Sequence, residues 1–160
     1  MDMQTTQPIK SLKDIRKLKQ YYLDRHQIRN YALVTLGMNA SLRISDLLLL
    51  KWENVYNFCN KCYFHHIDIL EQKTGKTTKI ALNKEVLQAL KQLKKTLPHL
   101  SSDDYLFQSR EGRNRPISRT QAFRIIKKAA DELHIEGIIS CHSLRKTFGY
   151  HAWKKGTPPA

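Results

Sequence analysis

Long apolar runs are missing from this chain of 160 residues. The longest, Leu47 to Leu50, falls far short of the roughly 18–20 residues that a bilayer-spanning helix needs, so no membrane segment is expected. Cysteine is scarce and odd in number, at three, which argues against a disulfide framework and fits a reducing compartment. The opening MDMQTTQPIK lacks the apolar stretch of a secretory leader, which points to the cytoplasm. No internal repeat or low-complexity linker divides the chain, and 41% hydrophobic content suffices for a core, so a single domain over residues 1–160 is expected. Acid is the scarcer charge: 14 Asp and Glu against 28 Lys and Arg leave a net +14. A phosphate polyanion matches such an excess through counterion release. A membrane-surface binder instead concentrates its charge on one amphipathic helix, and here the basic residues are scattered from Lys10 to Lys155. Nucleic acid is the partner this balance favours.

The spacing predicts helices interrupted by one β-rich segment. SLKDIRKLKQYYL opens with Ser11 as N-cap and Asp14 three residues on, and sets Ile15, Leu18 and Tyr22 on one face. RNYALVTLGMN reads as a buried helix ended by Gly37 or Asn39, and SLRISDLLLLKW as a third helix. Between Val55 and Leu82, CYFHHIDILEQ and TTKIAL are β-rich runs flanking KTGK, the pattern of a hairpin or small antiparallel sheet. Asn83 caps a helix running from Lys84 towards Leu97, stopped by Pro98. Ser118 and Gln121 form the capping box of another. A last helix is expected from near Ser143 to Gly156, ahead of Pro158 and Pro159. PHLSSDD and SREGRNRP read as surface loops.

Arg43 stands in an otherwise apolar stretch, where a guanidinium is costly unless it is paired or faces a cleft. Asp46, three residues on, is placed to hold it by a charge-assisted bond. In CHSLRKTFGYHAW, His142 and Arg145 also share a helix face. That pairing suits a phosphodiester, since the guanidinium grips two non-bridging oxygens while the imidazole donates or accepts a proton. Lys73 and Lys76 sit at the expected hairpin turn, from which a lysine can reach a DNA groove or give a proton to a leaving oxygen. Taken singly, each feature has a plain structural reading: a salt bridge, a charged helix face, a solvated turn. Cys59 and Cys62 have zinc-knuckle spacing with His65 and His66 close behind. Neighbouring strand residues point to opposite faces, so at most one histidine could join the thiolates and no metal is expected.

In combination, SLRISDLLLLKW, the QKTGK hairpin and HSLRKTFGYHAW resemble the catalytic domain of the tyrosine recombinases, the phage integrase family, over nearly the whole chain. The resemblance implies an α+β fold, mainly α, with a small antiparallel sheet. It implies site-specific cutting and rejoining of double-stranded DNA through a phosphotyrosine intermediate, without metal or cofactor. Arg43 and Arg145 would stabilise charge on the non-bridging oxygens, Lys73 would protonate the leaving 5′ oxygen, and His142 would assist proton transfer, with Asp46 in support. Lys76, Arg113, Arg115 and Arg119 are expected to contact DNA. The family's DNA-clamping domain would precede Arg43 and is not expected here. The family's nucleophilic tyrosine falls about 33 residues past Arg145, beyond residue 160, so cleavage by these 160 residues alone is not expected. Tyr150 is read as a core or DNA-facing aromatic and Trp153 as no replacement for a distal catalytic group. A homo-oligomer on DNA is the family's pattern. A non-catalytic DNA-binding fragment and a type IB topoisomerase-like strand cutter are the rival readings.

Overall fold

The computed structural model describes residues 5–156. In chain order the elements are α1 (Leu12–Asp24), α2 (Ile28–Asn39), α3 (Ile44–Leu48), α4 (Trp52–Val55), β1 (Tyr56–Asn57), β2 (Cys62–Tyr63), β3 (His66–Leu70), β4 (Thr77–Ala81), α5 (Lys84–Lys95), α6 (Arg119–Glu132) and α7 (Cys141–Lys154). The architecture is mainly helical with small antiparallel ladders, as the sequence pattern implies.

Helix α2 is the centre. Its residues Asn30 to Met38 are all buried, the signature of a helix enclosed on every side, and α1, α5 and α7 pack around it. Gly37 does not end this helix; the helix runs on to Asn39. The glycine serves packing instead, because a Cβ at Gly37 would lie 2.5 Å from Leu144 Cδ1 of α7. Three caps form where the sequence places them: the oxygens of Ser11, Asn83 and Ser118 accept from the amides of Asp14, Val86 and Gln121. Helix α5 stops at Lys95, where Thr96 Oγ1 donates to the Leu93 carbonyl. That closes the helix before Leu97 and Pro98 are reached.

The expected third helix is broken. Only Ile44–Leu48 is helical, with Arg43 as N-cap, and α4 begins separately at Trp52. Between them the backbone is taken by a distant strand-like segment: Leu106 N–H donates to Leu50 O, Trp52 N–H to Asp104 O, and Glu53 N–H to Ser102 O. These long-range bonds satisfy groups that helix continuation would otherwise use.

The sheet is two separate ladders. Strands β1 and β2 pair antiparallel through Tyr56↔Tyr63 and Asn57↔Cys62. Strands β3 and β4 pair from His66↔Ala81 to Leu70↔Thr77, with Ile67, Ile69 and Ile80 turned inward. The loop from Glu71 to Lys76 closes on itself: Glu71 N–H donates to Lys76 O, Gly75 N–H donates to Glu71 O, and Thr74 Oγ1 donates to Glu71 Oε2. Gly75 has φ +69°, a conformation that favours glycine.

The last helix starts earlier than Ser143. Ser140 is its N-cap, and Ser143 Oγ accepts from the Ser140 amide at 2.9 Å, so His142 lies in the first turn. Pro158 and Pro159 lie outside the described residues. A strap formed by residues 5–10 crosses α7. Ile9 N–H donates to Thr147 Oγ1, Lys146 Nζ donates to Thr6 O, and the His151 ring contacts Ile9 O at 3.0 Å. Ile9 itself is buried.

Candidate functional site

Because Arg43 is the N-cap of α3 rather than an interior residue, its side chain leaves the helix at the helix end. It is half-buried, and Nη1 is fully buried without a hydrogen-bond partner among the described residues. The expected ion pair with Asp46 does not form. Asp46, 4% exposed, instead accepts the Gln72 amide on Oδ1 at 3.2 Å, leaving Oδ2 buried and unpaired. The carboxylate therefore ties the β3–β4 loop to α3. Lys73 follows Gln72 directly and is exposed, as is Lys76. A buried donor left without a partner costs about 1–3 kcal/mol, so Arg43 Nη1 carries an unmet hydrogen-bonding capacity.

Helix α7 brings the second half. A cavity of about 480 Å³ is lined by His142, Cys141 and Ser140 of the α7 start, by Arg119, Thr120 and Phe123 of α6, and by Ile44 of α3. Ile44 is the neighbour of Arg43, so the ends of three helices converge here. Ser140 Oγ is another buried polar atom without a partner. Burial pushes the Cys141 thiol pKa up, and the charge of Arg119 pulls it partly back. Arg145 lies one turn beyond His142, half-buried, and makes no hydrogen bond or ion pair among the described residues.

The structure thus sets His142 and Arg119 in one hollow whose wall includes Ile44, the residue after Arg43, places Arg145 a turn away on the His142 helix, and tethers the Lys73 loop to the helix that Arg43 caps. Arg119, expected on the DNA surface, lines the hollow itself. Arg113 and Arg115 are exposed in a separate turn, closed by Ser109 N–H donating to Arg115 O. Tyr150 is half-buried, with the Lys10 and Lys154 ammonium groups 5.7 and 5.9 Å from its ring centre. The contributions of Thr120, Phe123 and Ser140 are not apparent from sequence spacing; the one available signal was Ser140, a serine directly before an apolar-periodic helix. Among the described residues no three His, Cys, Asp or Glu side chains form a metal-binding group. Cys59, Cys62, His65 and His66 are all exposed. No described helix is long and apolar enough to cross a membrane.

The hollow is lined by Arg119 and His142 with no Asp or Glu in its wall, on a mainly helical scaffold. The scaffold is identifiable: the chain belongs to the phage integrase family, whose sequence profile matches residues 9–160. A probable integrase/recombinase, YoeC of Bacillus subtilis (strain 168), is 40% identical over 154 residues, spanning 96% of this chain and 78% of that protein. The TnP I resolvase of Bacillus thuringiensis is 31% identical over 146 residues, 89% of this chain but 47% of that protein. Among solved structures, XerA recombinase superposes with a TM-score of 0.76 at 21% identity, covering 96% of this chain and 53% of its own. The XerH site-specific recombinase in a post-cleavage complex with palindromic difH substrate gives 0.69 at 16% identity, covering 95% and 44%. These likenesses establish the fold. The chain spans about half the length of the resolvase and of both recombinase structures.

Proposed function

We propose that residues 1–160 form one catalytic domain of a cytoplasmic, site-specific DNA recombinase that binds double-stranded DNA and supplies the phosphate-holding and proton-handling part of strand cleavage. The observation that carries this reading is the carboxylate-free hollow lined by Arg119 and His142, with Arg43 capping the helix whose first residue, Ile44, stands in its wall. An arginine fork fits two non-bridging oxygens of one phosphodiester. Charge grows on those oxygens as a fifth ligand approaches phosphorus, so donors already in place stabilise the transition state more than the bound substrate. Arg43 and Arg145 take that role. His142, exposed at the first turn of α7, is free to pass a proton. Lys73, on a loop tied down by Asp46, protonates the departing 5′ oxygen. Lys76, Arg113, Arg115 and Arg119 position the duplex through its backbone. The attacking phenol is assigned to none of the tyrosines of residues 5–156. XerH and the Tn1549 transposon integrase, both solved in complex with DNA, support duplex DNA as the partner.

The test is Arg43→Lys and Arg145→Lys in a chain that carries the nucleophile. Each variant keeps its charge and loses the planar fork. Covalent adduct formation on a nicked suicide duplex is expected to fall by about 10²-fold or more while DNA affinity changes little. Lysine variants that form adduct at the parental rate would make both arginines structural.

A further inference from the structure

A second basic cleft lies apart from the hollow that His142 lines. It has a volume of about 610 Å³, with Arg29 and Asn30 of α2, Gln108 and Arg110 of the loop between α5 and α6, and Gln121 of α6 in its wall. No Asp or Glu lines it. Arg29 is held in place: Nη1 donates to the Gln108 carbonyl at 2.8 Å and Nε to Asn30 Oδ1 at 3.2 Å. Burial, together with the nearby positive charge of Arg110, holds the Arg29 pKa below the usual arginine range. Arg110 is exposed and makes no ion pair among the described residues.

The backbone adds to this imbalance. Arg29 sits in the first turn of α2, and the Gln27 N-cap side chain makes no capping bond. The orphan amides of a helix start carry partial positive charge, so a cation there opposes the helix dipole. Two like-charged guanidiniums and an uncapped helix start therefore face one cavity with no carboxylate to balance them. Arg29 is fixed by neutral acceptors alone, which leave its charge unbalanced, whereas an incoming oxyanion offsets both guanidinium charges and the helix start at once.

We propose that this cleft seats a backbone phosphate of the bound duplex, other than the one held at Arg43. The proposal rests on the DNA-acting reading above and adds a defined second anchor. Gln121 lines this cleft while Arg119, two residues earlier, lines the hollow with His142. The two clefts thus both border the start of α6.

The experiment measures duplex affinity against salt for the parent chain, Arg110→Gln and Arg110→Lys. Arg110 makes no structural bond among the described residues, so both variants should fold. In parallel, the Arg29 Nε–H resonance is followed by NMR as duplex DNA or inorganic phosphate is added. Arg110→Gln is expected to reduce the slope of log K against log salt by about 0.9, with Arg110→Lys restoring it. The Arg29 signal is expected to move with duplex and not with millimolar phosphate. A steep parental slope left unchanged by Arg110→Gln would overturn the anchor while leaving the recombinase reading intact. Movement with phosphate but not with duplex would overturn the DNA source. A parent chain that fails to bind duplex counts against the recombinase reading and removes this proposal with it.

Discussion

Replacing Gly37 with alanine sets two effects of similar size against each other. In an exposed helix interior the change gains about 1 kcal/mol, through helix propensity and lost backbone freedom. Here the new methyl would stand 2.5 Å from Leu144 Cδ1, 3.1 Å from its Cβ and 3.3 Å from its Cγ. Rotating the far methyl away relieves only the first contact, and Leu144 is itself buried, 2% exposed. Overpacking of a filled core costs about 1–3 kcal/mol. The net expectation is a loss of about 1 kcal/mol, or about 2–4 °C in Tm for a chain of this size. The functional loss should be larger. Leu144 lies between His142 and Arg145, so backing α7 away from α2 carries both off their positions, and displacement by ~1 Å can cost about 10²-fold in rate. Urea unfolding and, in a chain that carries the nucleophile, suicide-substrate cleavage measure the two quantities. The double variant Gly37→Ala with Leu144→Ala should recover part of the cleavage, because the truncated side chain makes room for the methyl. A Gly37→Ala chain that is more stable by about 1 kcal/mol and cleaves normally would refute the close-packing argument.

Removing the Asp46 side chain as alanine should release the Gln72 amide, speed its hydrogen exchange and cost about 1–3 kcal/mol; unchanged exchange at Gln72 would show that the β3–β4 loop holds its place without α3. Because burial raises the Cys141 pKa and the thiolate is the reactive form, alkylation at neutral pH should proceed faster at exposed Cys59 and Cys62 than at Cys141. The gap should narrow as pH rises through the ordinary thiol range, and duplex DNA should slow Cys141 alone. Equal labelling of all three, with and without DNA, would place the duplex elsewhere than the hollow beside His142.

What could be read from sequence follows the range of the forces involved. The starts of α1, α5 and α6 were legible because a cap joins a side chain to an amide three residues away, and Ser11, Asn83 and Ser118 are all that is needed. The candidate site was legible as a pattern because Arg43, Lys73 and the His142–Arg145 pair each sit on such a local landmark. The break after Leu48 was not. It depends on Leu50 to Glu53 bonding to residues 102–106, and SLRISDLLLLKW carries no trace of that partner. The role of Asp46 was misassigned for the same reason: its acceptor oxygen goes to Gln72, 26 residues away, rather than to the arginine one turn back. Arg29 and Arg110 went unnoticed because 81 residues separate them. Their one sequence-level signal was a cation in the first turn of an apolar helix.

The strap across α7 sets an order of events during synthesis. Thr6 and Ile9 are made about 140 positions before their partners Lys146, Thr147 and His151. The helix that carries His142 and Arg145 is therefore fastened by contacts that close a loop nearly as long as the described chain, the slowest kind to form. A nascent chain on the ribosome can build α1, α2 and the ladders while α7 is still unmade. The hollow shared by α3, α6 and α7 is in this way completed only when almost all of residues 5–156 have emerged.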